Sequence, residues 1–140
     1  MIKKILIANR GEIACRVIRT ARKLNINTVA VYSDADKDSL FVKQADESYH
    51  IGGSQPVESY LDINKIINIA KKSTADAGHP GYGFLSENAA FVKRLAKEKI
   101  KFIGPNPSAI KKMGDKIESK NLAIKLKLNG IPGHTAPVKN

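Results

Sequence analysis

The chain has 140 residues, enough for one independently folding domain, and its apolar share of 42% suits a globular protein. No apolar run is long enough to span a membrane, and the opening Met1-Ile-Lys-Lys-Ile-Leu-Ile-Ala8 is too short and too strand-like for a secretory signal. A single cysteine, Cys15, excludes an internal disulfide and points to a reducing cytoplasm, while a formal net charge of +11 raises nucleic acid as a possible partner class.

Along the chain, strand and helix patterns alternate. Lys4-Ile5-Leu6-Ile7-Ala8 reads as a short buried strand, followed by a helix from about Glu12 to Leu24 with Ile13, Val17, Ala21 and Leu24 at helical spacing. Thr28 to Ser33 is a second strand, Asp34 to Asp38 a polar loop, and Ser48 to Ile51 a weaker third strand ending at Gly52-Gly53. Ile63, Ile66, Ile67 and Ala70 mark the next helix. Ala75 to Ala77 is a short strand leading into a glycine loop, Phe91, Val92, Leu95 and Ala96 mark another helix, and Lys101-Phe-Ile103 is a last strand closed by Gly104-Pro105. Such alternation predicts an α/β fold with an open parallel sheet whose ligands sit at the carboxyl ends of the strands.

After Gly104 the character changes. Pro105 and Pro107 open a connection to a basic helical region. Asp115-Lys-Ile-Glu118 reads as a capping-box variant, and Gly130 and Pro132 as the stop. Leu122, Ile124, Leu126 and Leu128 alternate as in a strand, yet the cap and terminal glycine favour a helix. This end also carries most of the charge: residues 93–140 hold twelve Lys and Arg against three Asp and Glu. Across the chain the basic residues are 19 Lys and only 5 Arg, beside 17 Ile and 10 Asn, the bias of an AT-rich genome choosing lysine for solvated positions. Arginines and aromatics, which grip phosphates and stack on bases, are scarce, which argues against nucleic acid.

The densest local signal is His79-Pro-Gly-Tyr-Gly-Phe-Leu-Ser-Glu-Asn88. Two glycines flank Tyr82, Pro80 stiffens the strand exit, and Ser86 offers a helix N-cap with Glu87 and Asn88 in the first turn. A strand, a shaped loop and a helix start can build a site or can be an ordinary βα turn. The first such turn, Ala8-Asn-Arg-Gly-Glu-Ile-Ala14, lacks the G-x-G-x-x-G needed to bring a pyrophosphate onto a helix end, so a dinucleotide site there is not expected. Lys116, in the first turn of a helix, suits an anion as well as solvent. Arg16 and Arg19 stand one turn apart, off the apolar stripe of the first helix, and are solvated or pair with another subunit. His50, His79 and His134 have no metal-ligand spacing, so no metal site is expected within these residues.

Ile7-Ala-Asn-Arg-Gly-Glu-Ile-Ala14, His79 to Asn88, Phe102-Ile-Gly-Pro105 and Met113-Gly-Asp-Lys116 together resemble the biotin carboxylase family, in its order and spacing and over essentially the whole chain. The continuation Lys116-Ile-Glu-Ser-Lys120 is most similar to the propionyl-CoA carboxylase type of α subunit. The resemblance implies a Rossmann-like domain at residues 1–105 preceding an ATP-grasp fold, with 106–140 as the linker and first helices of that fold. It implies that Lys116 contacts ATP, that Tyr82 and Gly83 edge the biotin and bicarbonate pocket with Glu87 close by, and that Arg16 and Arg19 lie on the helix used in subunit pairing. The implied activity is ATP- and bicarbonate-dependent carboxylation of biotin, with Mg2+, a biotin carboxyl carrier domain and a carboxyltransferase subunit as companions and a homo-oligomer as the assembly. Neither nucleic acid nor a membrane is among the implied partners.

Two positions depart from the family pattern. Lys23 stands where some bacterial members carry an acidic pairing residue, which puts that ion pair in doubt. Gly78 stands where an apolar strand residue is usual, and glycine weakens a strand, so the site loop is expected to be less firmly held. The lid, the metal carboxylates, the base and the bicarbonate arginine of an ATP-grasp carboxylase do not occur in these 140 residues, so the chain is expected to be a truncated form, inactive alone. A competing reading is a non-catalytic module that pairs with intact carboxylase subunits.

Overall fold

Alternating apolar residues in the first strand face two different cores, and this sets the layering of the whole fold. The computed structural model describes residues 1–114 and 116–128, with Lys116 described by its backbone alone. Within them, β1 (Lys4–Ile7), β2 (Asn27–Ser33), β3 (Glu47–Gly52), β4 (Ala77–His79) and β5 (Lys101–Phe102) form a parallel sheet ordered β3-β2-β1-β4-β5. Ile5 and Ile7 pack on one face with Ala30, Phe41 and Ala77 beneath α1 (Gly11–Lys23) and α2 (Leu40–Gln44). Leu6 and Ala8 pack on the other face with Val29 and Val31 against α3 (Ile63–Lys72) and α4 (Ala89–Lys97). The expected α/β architecture with an open parallel sheet is therefore the one observed. Among the described residues no helix is long and apolar enough to cross a membrane.

Helix α1 buries Ala14, Val17, Ile18 and Ala21, the i, i+3, i+4, i+7 stripe of an amphipathic helix. Its end is a Schellman motif: Ile26 N–H donates to Ala21 O at 2.9 Å and Asn25 N–H to Arg22 O at 3.1 Å. Asn25 takes the left-handed conformation there, with φ 55°. The same closure ends α3 at Thr74 (φ 55°), α4 at Lys99 (φ 61°) and α6 (Lys116–Lys125) at Lys127 (φ 54°). None of these positions is glycine, so glycine punctuation could not mark them.

The expected strand at Ala75 to Ala77 starts two residues later, because Ala75 completes the α3 closure. Asp76 meanwhile accepts the Lys3 and Lys4 amides at 2.7 and 2.9 Å. Gly78 does not leave a gap. A side chain there would meet Leu95 Cδ1 at 3.1 Å, so Leu95 occupies the room and glycine is what admits it. Gly78 also pairs with Leu6 on one side and Phe102 on the other, so the loop after β4 leaves from a strand held at both edges.

Helix α5 (Pro107–Gly114) starts at a capped Asn106, whose Oδ1 accepts from Ala109 N–H at 2.8 Å. The helix preferred for the segment after it is observed as α6. The Asp115 cap and the Gly130 and Pro132 stop lie outside the described residues. Ile124 of α6 and Leu126 and Leu128 just after it are exposed, so none of the three is buried against the described part of the chain.

Candidate functional site

Strand order reverses beside β1: the chain runs outward through β2 and β3, then returns to the other side of β1 with β4. At such a switch point the loops leaving neighbouring strands diverge and open a crevice at the carboxyl ends. Here the β1–α1 turn and the loop after β4 enclose a cleft of about 380 Å³ lined by Asn9, Arg10, Gly11, Glu12, Ile13, Tyr82, Gly83 and Phe84. The two strings singled out in the sequence thus form facing walls of one cleft.

The walls are tied together by Asn9, which is buried. Its Nδ2 donates to Pro80 O at 2.6 Å and Tyr82 O at 2.8 Å, and its Oδ1 accepts from Arg10 N–H at 2.9 Å. Gly81, Gly83 and Phe84 all have positive φ, at 66°, 64° and 44°. Gly81 N–H donates to His79 Nδ1 at 3.0 Å, which fixes that ring as neutral with its proton on Nε2. Burial lowers the His79 pKa below the ordinary histidine value and favours the same neutral form.

A buried polar cluster lies behind the cleft. Arg10 donates from Nε to Asp36 Oδ2 at 2.7 Å and from Nη2 to Oδ1 at 2.6 Å, a bidentate pair. Ser33 Oγ–H at 3.0 Å and Tyr60 O–H at 2.7 Å also donate to Asp36 Oδ2. The Arg10 guanidinium holds the Asp36 carboxyl below the usual carboxylate range. Burial, reinforced by the bond to Asp36, pushes the Tyr60 phenol up to about 12. The Tyr60 ring stacks on Phe84 with centroids 5.2 Å apart and planes at 10°.

The residues named from sequence are distributed unevenly. Tyr82 (63% exposed) and Gly83 stand together on the cleft wall. Glu87 is exposed on the same loop and does not line the cleft. Ser86 is not the cap of α4. Asn88 is, with Oδ1 accepting from Phe91 N–H at 3.0 Å, while Ser86 N–H donates to Gly83 O at 2.9 Å and closes the loop. Arg16 and Arg19 are exposed on α1, and Arg16 borders an apolar groove of about 420 Å³ between α1 and the β4–β5 side, with Ile5, Ile13, Val17 and Ile103. The groove is the larger hollow, but its lining is mainly aliphatic, with Arg16, Thr20 and His79 as its polar members, so the polar groups converging from two loops mark the switch-point cleft as the candidate site. Lys116 begins α6, and its side chain lies outside what the structure describes. Among the described residues no three His, Cys, Asp or Glu side chains gather as metal ligands. Sequence reading missed Asn9, Asp36 and Tyr60 as builders of the site.

Comparison with known proteins agrees with this geometry. The family model described as biotin carboxylase, N-terminal domain, matches residues 1–110. The mitochondrial propionyl-CoA carboxylase alpha chain of Mus musculus is 57% identical over 137 residues, which is 98% of this chain and 19% of that protein. The mitochondrial methylcrotonoyl-CoA carboxylase subunit alpha of Dictyostelium discoideum is 60% identical over 133 residues, 95% of this chain and 19% of that one. The solved urea carboxylase of Kluyveromyces lactis has a TM-score of 0.91 at 50% identity, covering 94% of this chain and 12% of its own. The chain thus spans less than a fifth of the length of these relatives. With 110 residues matched and the switch-point cleft built from the residues that carry the resemblance, this chain belongs to the biotin carboxylase N-terminal domain family.

Proposed function

We propose that the chain supplies the amino-terminal wall of a biotin carboxylase active site, in a ligase that carboxylates biotin with ATP and bicarbonate. The supporting observation is the switch-point cleft, where Tyr82 and Gly83 face Arg10 across space that no side chain fills. A Cβ on Gly83 would find no atom within 4 Å, which fits the close approach of a flat ureido ring. Bound there, biotin supplies the nucleophilic ureido nitrogen. Tyr82 contributes apolar ring surface, Asn9 holds the loop's carbonyls inward, and Arg10, its charge paired with Asp36, lines the opposite wall.

The remaining assignments rest on the family. Lys116 is proposed to contact ATP, and Glu87 to stand near the biotin pocket. Arg16 and Arg19 are proposed for subunit pairing in a homo-oligomer, where the apolar groove beside Arg16 supplies area to bury. Residues 1–105 are proposed as the domain before an ATP-grasp fold and 106–140 as its linker and first helices, with the 140 residues inactive by themselves. A biotin carboxyl carrier domain and a carboxyltransferase subunit are the proposed partners, and the proposed setting is cytoplasmic. The described residues hold no metal-ligating cluster, so Mg2+ is assigned to none of them. The propionyl-CoA type is the proposed subtype, supported by the similarity at Lys116 to Lys120.

The test uses a carboxylase of full family length that carries this chain at its amino end. Tyr82→Ala is expected to raise KM for free biotin about tenfold by removing buried ring contact, with bicarbonate-dependent ATP hydrolysis retained. Lys116→Ala is expected to raise KM for ATP roughly ten- to a hundredfold through a lost charge-assisted phosphate contact, with KM for bicarbonate unmoved. Unaltered biotin kinetics in Tyr82→Ala would remove the cleft from the reaction.

A further inference from the structure

We propose that Asp36 is a positioning residue that sets both walls of this cleft from behind, an inference that rests on reading the cleft as the biotin side of a carboxylase. Asp36 belongs to neither wall. It sits in the short 3-10 turn Asp34–Asp36 after β2, and only 4% of it is exposed. Its carboxylate reaches one wall through the bidentate pair with Arg10, the residue that opens α1. It reaches the other through the Tyr60 hydroxyl at 2.7 Å and the Phe84 ring stacked on Tyr60 at 5.2 Å. Phe84 follows Gly83 directly and holds a positive φ of 44°, so the place of its ring decides how the glycine loop presents Tyr82 and Gly83.

A buried ion pair is costly to desolvate and is often matched in stability by apolar packing. What apolar packing cannot do is fix direction. The guanidinium fork allows one plane for Arg10, and the phenol donates along one line, with Ser33 N–H donating to the same phenol oxygen at 3.2 Å. The first constraint ends on Arg10, which lines the cleft, and the second sets the plane of the Tyr60 ring on which the cleft-lining Phe84 stacks. Tyr60 and Phe41 are comparably buried aromatics, yet only Tyr60 carries a hydroxyl, and that hydroxyl is spent on Asp36.

Tyr60→Phe and Asp36→Asn in the 140-residue chain test the coupling, the first keeping the ring on Phe84 so that folding is spared. Amide hydrogen exchange is read at Ser86, bonded to Gly83 O, and at Gly81, bonded to His79 Nδ1, against Ile66 and Ala70 in α3. Exchange at Ser86 and Gly81 is expected to quicken about tenfold in either variant, with the α3 amides unchanged. Unchanged loop exchange, or equal acceleration throughout the core, overturns the proposal. In the full-length carboxylase, Tyr60→Phe is expected to raise KM for biotin without moving KM for ATP. Loop exchange that responds while KM for biotin does not would also overturn it. The same indifference in Tyr82→Ala would instead overturn the reading of the cleft, so the two can fail separately.

Discussion

Gly81 and Asn9 are fitted to each other: a Cβ on Gly81 would stand 2.6 Å from Asn9 Nδ2. That same Nδ2 donates to the carbonyls on either side of Gly81, of Pro80 and of Tyr82. In a dinucleotide-binding turn, glycines after the first strand leave room for a pyrophosphate. Here that position holds an asparagine whose amide braces the neighbouring loop, so the missing glycine motif is replaced by a structural device. The cleft is consequently stiff where the two loops touch and open at Gly83.

Thr74 closes α3 with a φ of 55°, a conformation that a β-branched residue adopts only under strain. Thr74→Gly is expected to stabilise the chain by up to about 1 kcal/mol, the strain relief being partly offset by the greater freedom of glycine when unfolded. The urea midpoint measures this. A lower midpoint would mean that the Thr74 Oγ1–H bond to Ser73 O at 2.7 Å outweighs the strain.

His79 links stability and loop order to pH. Burial depresses its folded pKa below the ordinary histidine value of about 6.5, so the unfolded chain binds the proton more readily. The stabilisation is complete above about pH 6.5 and is lost as pH falls through the lower folded value. Protonation also removes Nδ1 as the acceptor for Gly81 N–H. Stability measured from pH 7.5 down to 5 is expected to fall less steeply in His79→Asn, whose Oδ1 can accept the same bond without titrating. Comparing the two chains isolates this ring from His50 and His134. Identical slopes would remove His79 from the linkage.

The sheet was readable because its signals are local: the apolar run Lys4 to Ala8, or Val17 and Ala21 at helical spacing, need only neighbours in sequence, although Leu24, expected on that stripe, is exposed at the helix end and Ala14 and Ile18 complete the buried face instead. The loop's glycines were readable for the same reason, since positive φ is a property of one residue. Asp36 and Tyr60 were not. Asp36 stands in a run of three aspartates that looks solvated, and its partners Arg10 and Tyr60 lie 26 and 24 residues away. Ser86 and Asn88 are equivalent as caps in sequence, and the Ser86 amide bond to Gly83 O is what leaves the role to Asn88. The α-helical closures at Thr74 and Lys99 were hidden because glycine is the usual sign of that conformation.

Gly81 and Gly83 separate the structural from the functional role of the loop. Both have positive φ, so an alanine at either place costs about 1 kcal/mol in backbone strain. At Gly81 the added methyl group also strikes Asn9 and breaks the brace between the loops, so Gly81→Ala should lower the melting temperature and damage every activity of the assembled enzyme. At Gly83, which lines the cleft, the methyl group meets nothing within 4 Å and so adds bulk to open space at the site instead of striking the fold. Gly83→Ala in the full-length carboxylase should therefore lose carboxylation of free biotin while keeping KM for ATP, at temperatures well below unfolding. Melting curves and the two sets of kinetics, run on both variants, decide the matter. If Gly83→Ala lost ATP and biotin functions in parallel with stability, as Gly81→Ala should, the loop would be a turn that shapes the fold and nothing more.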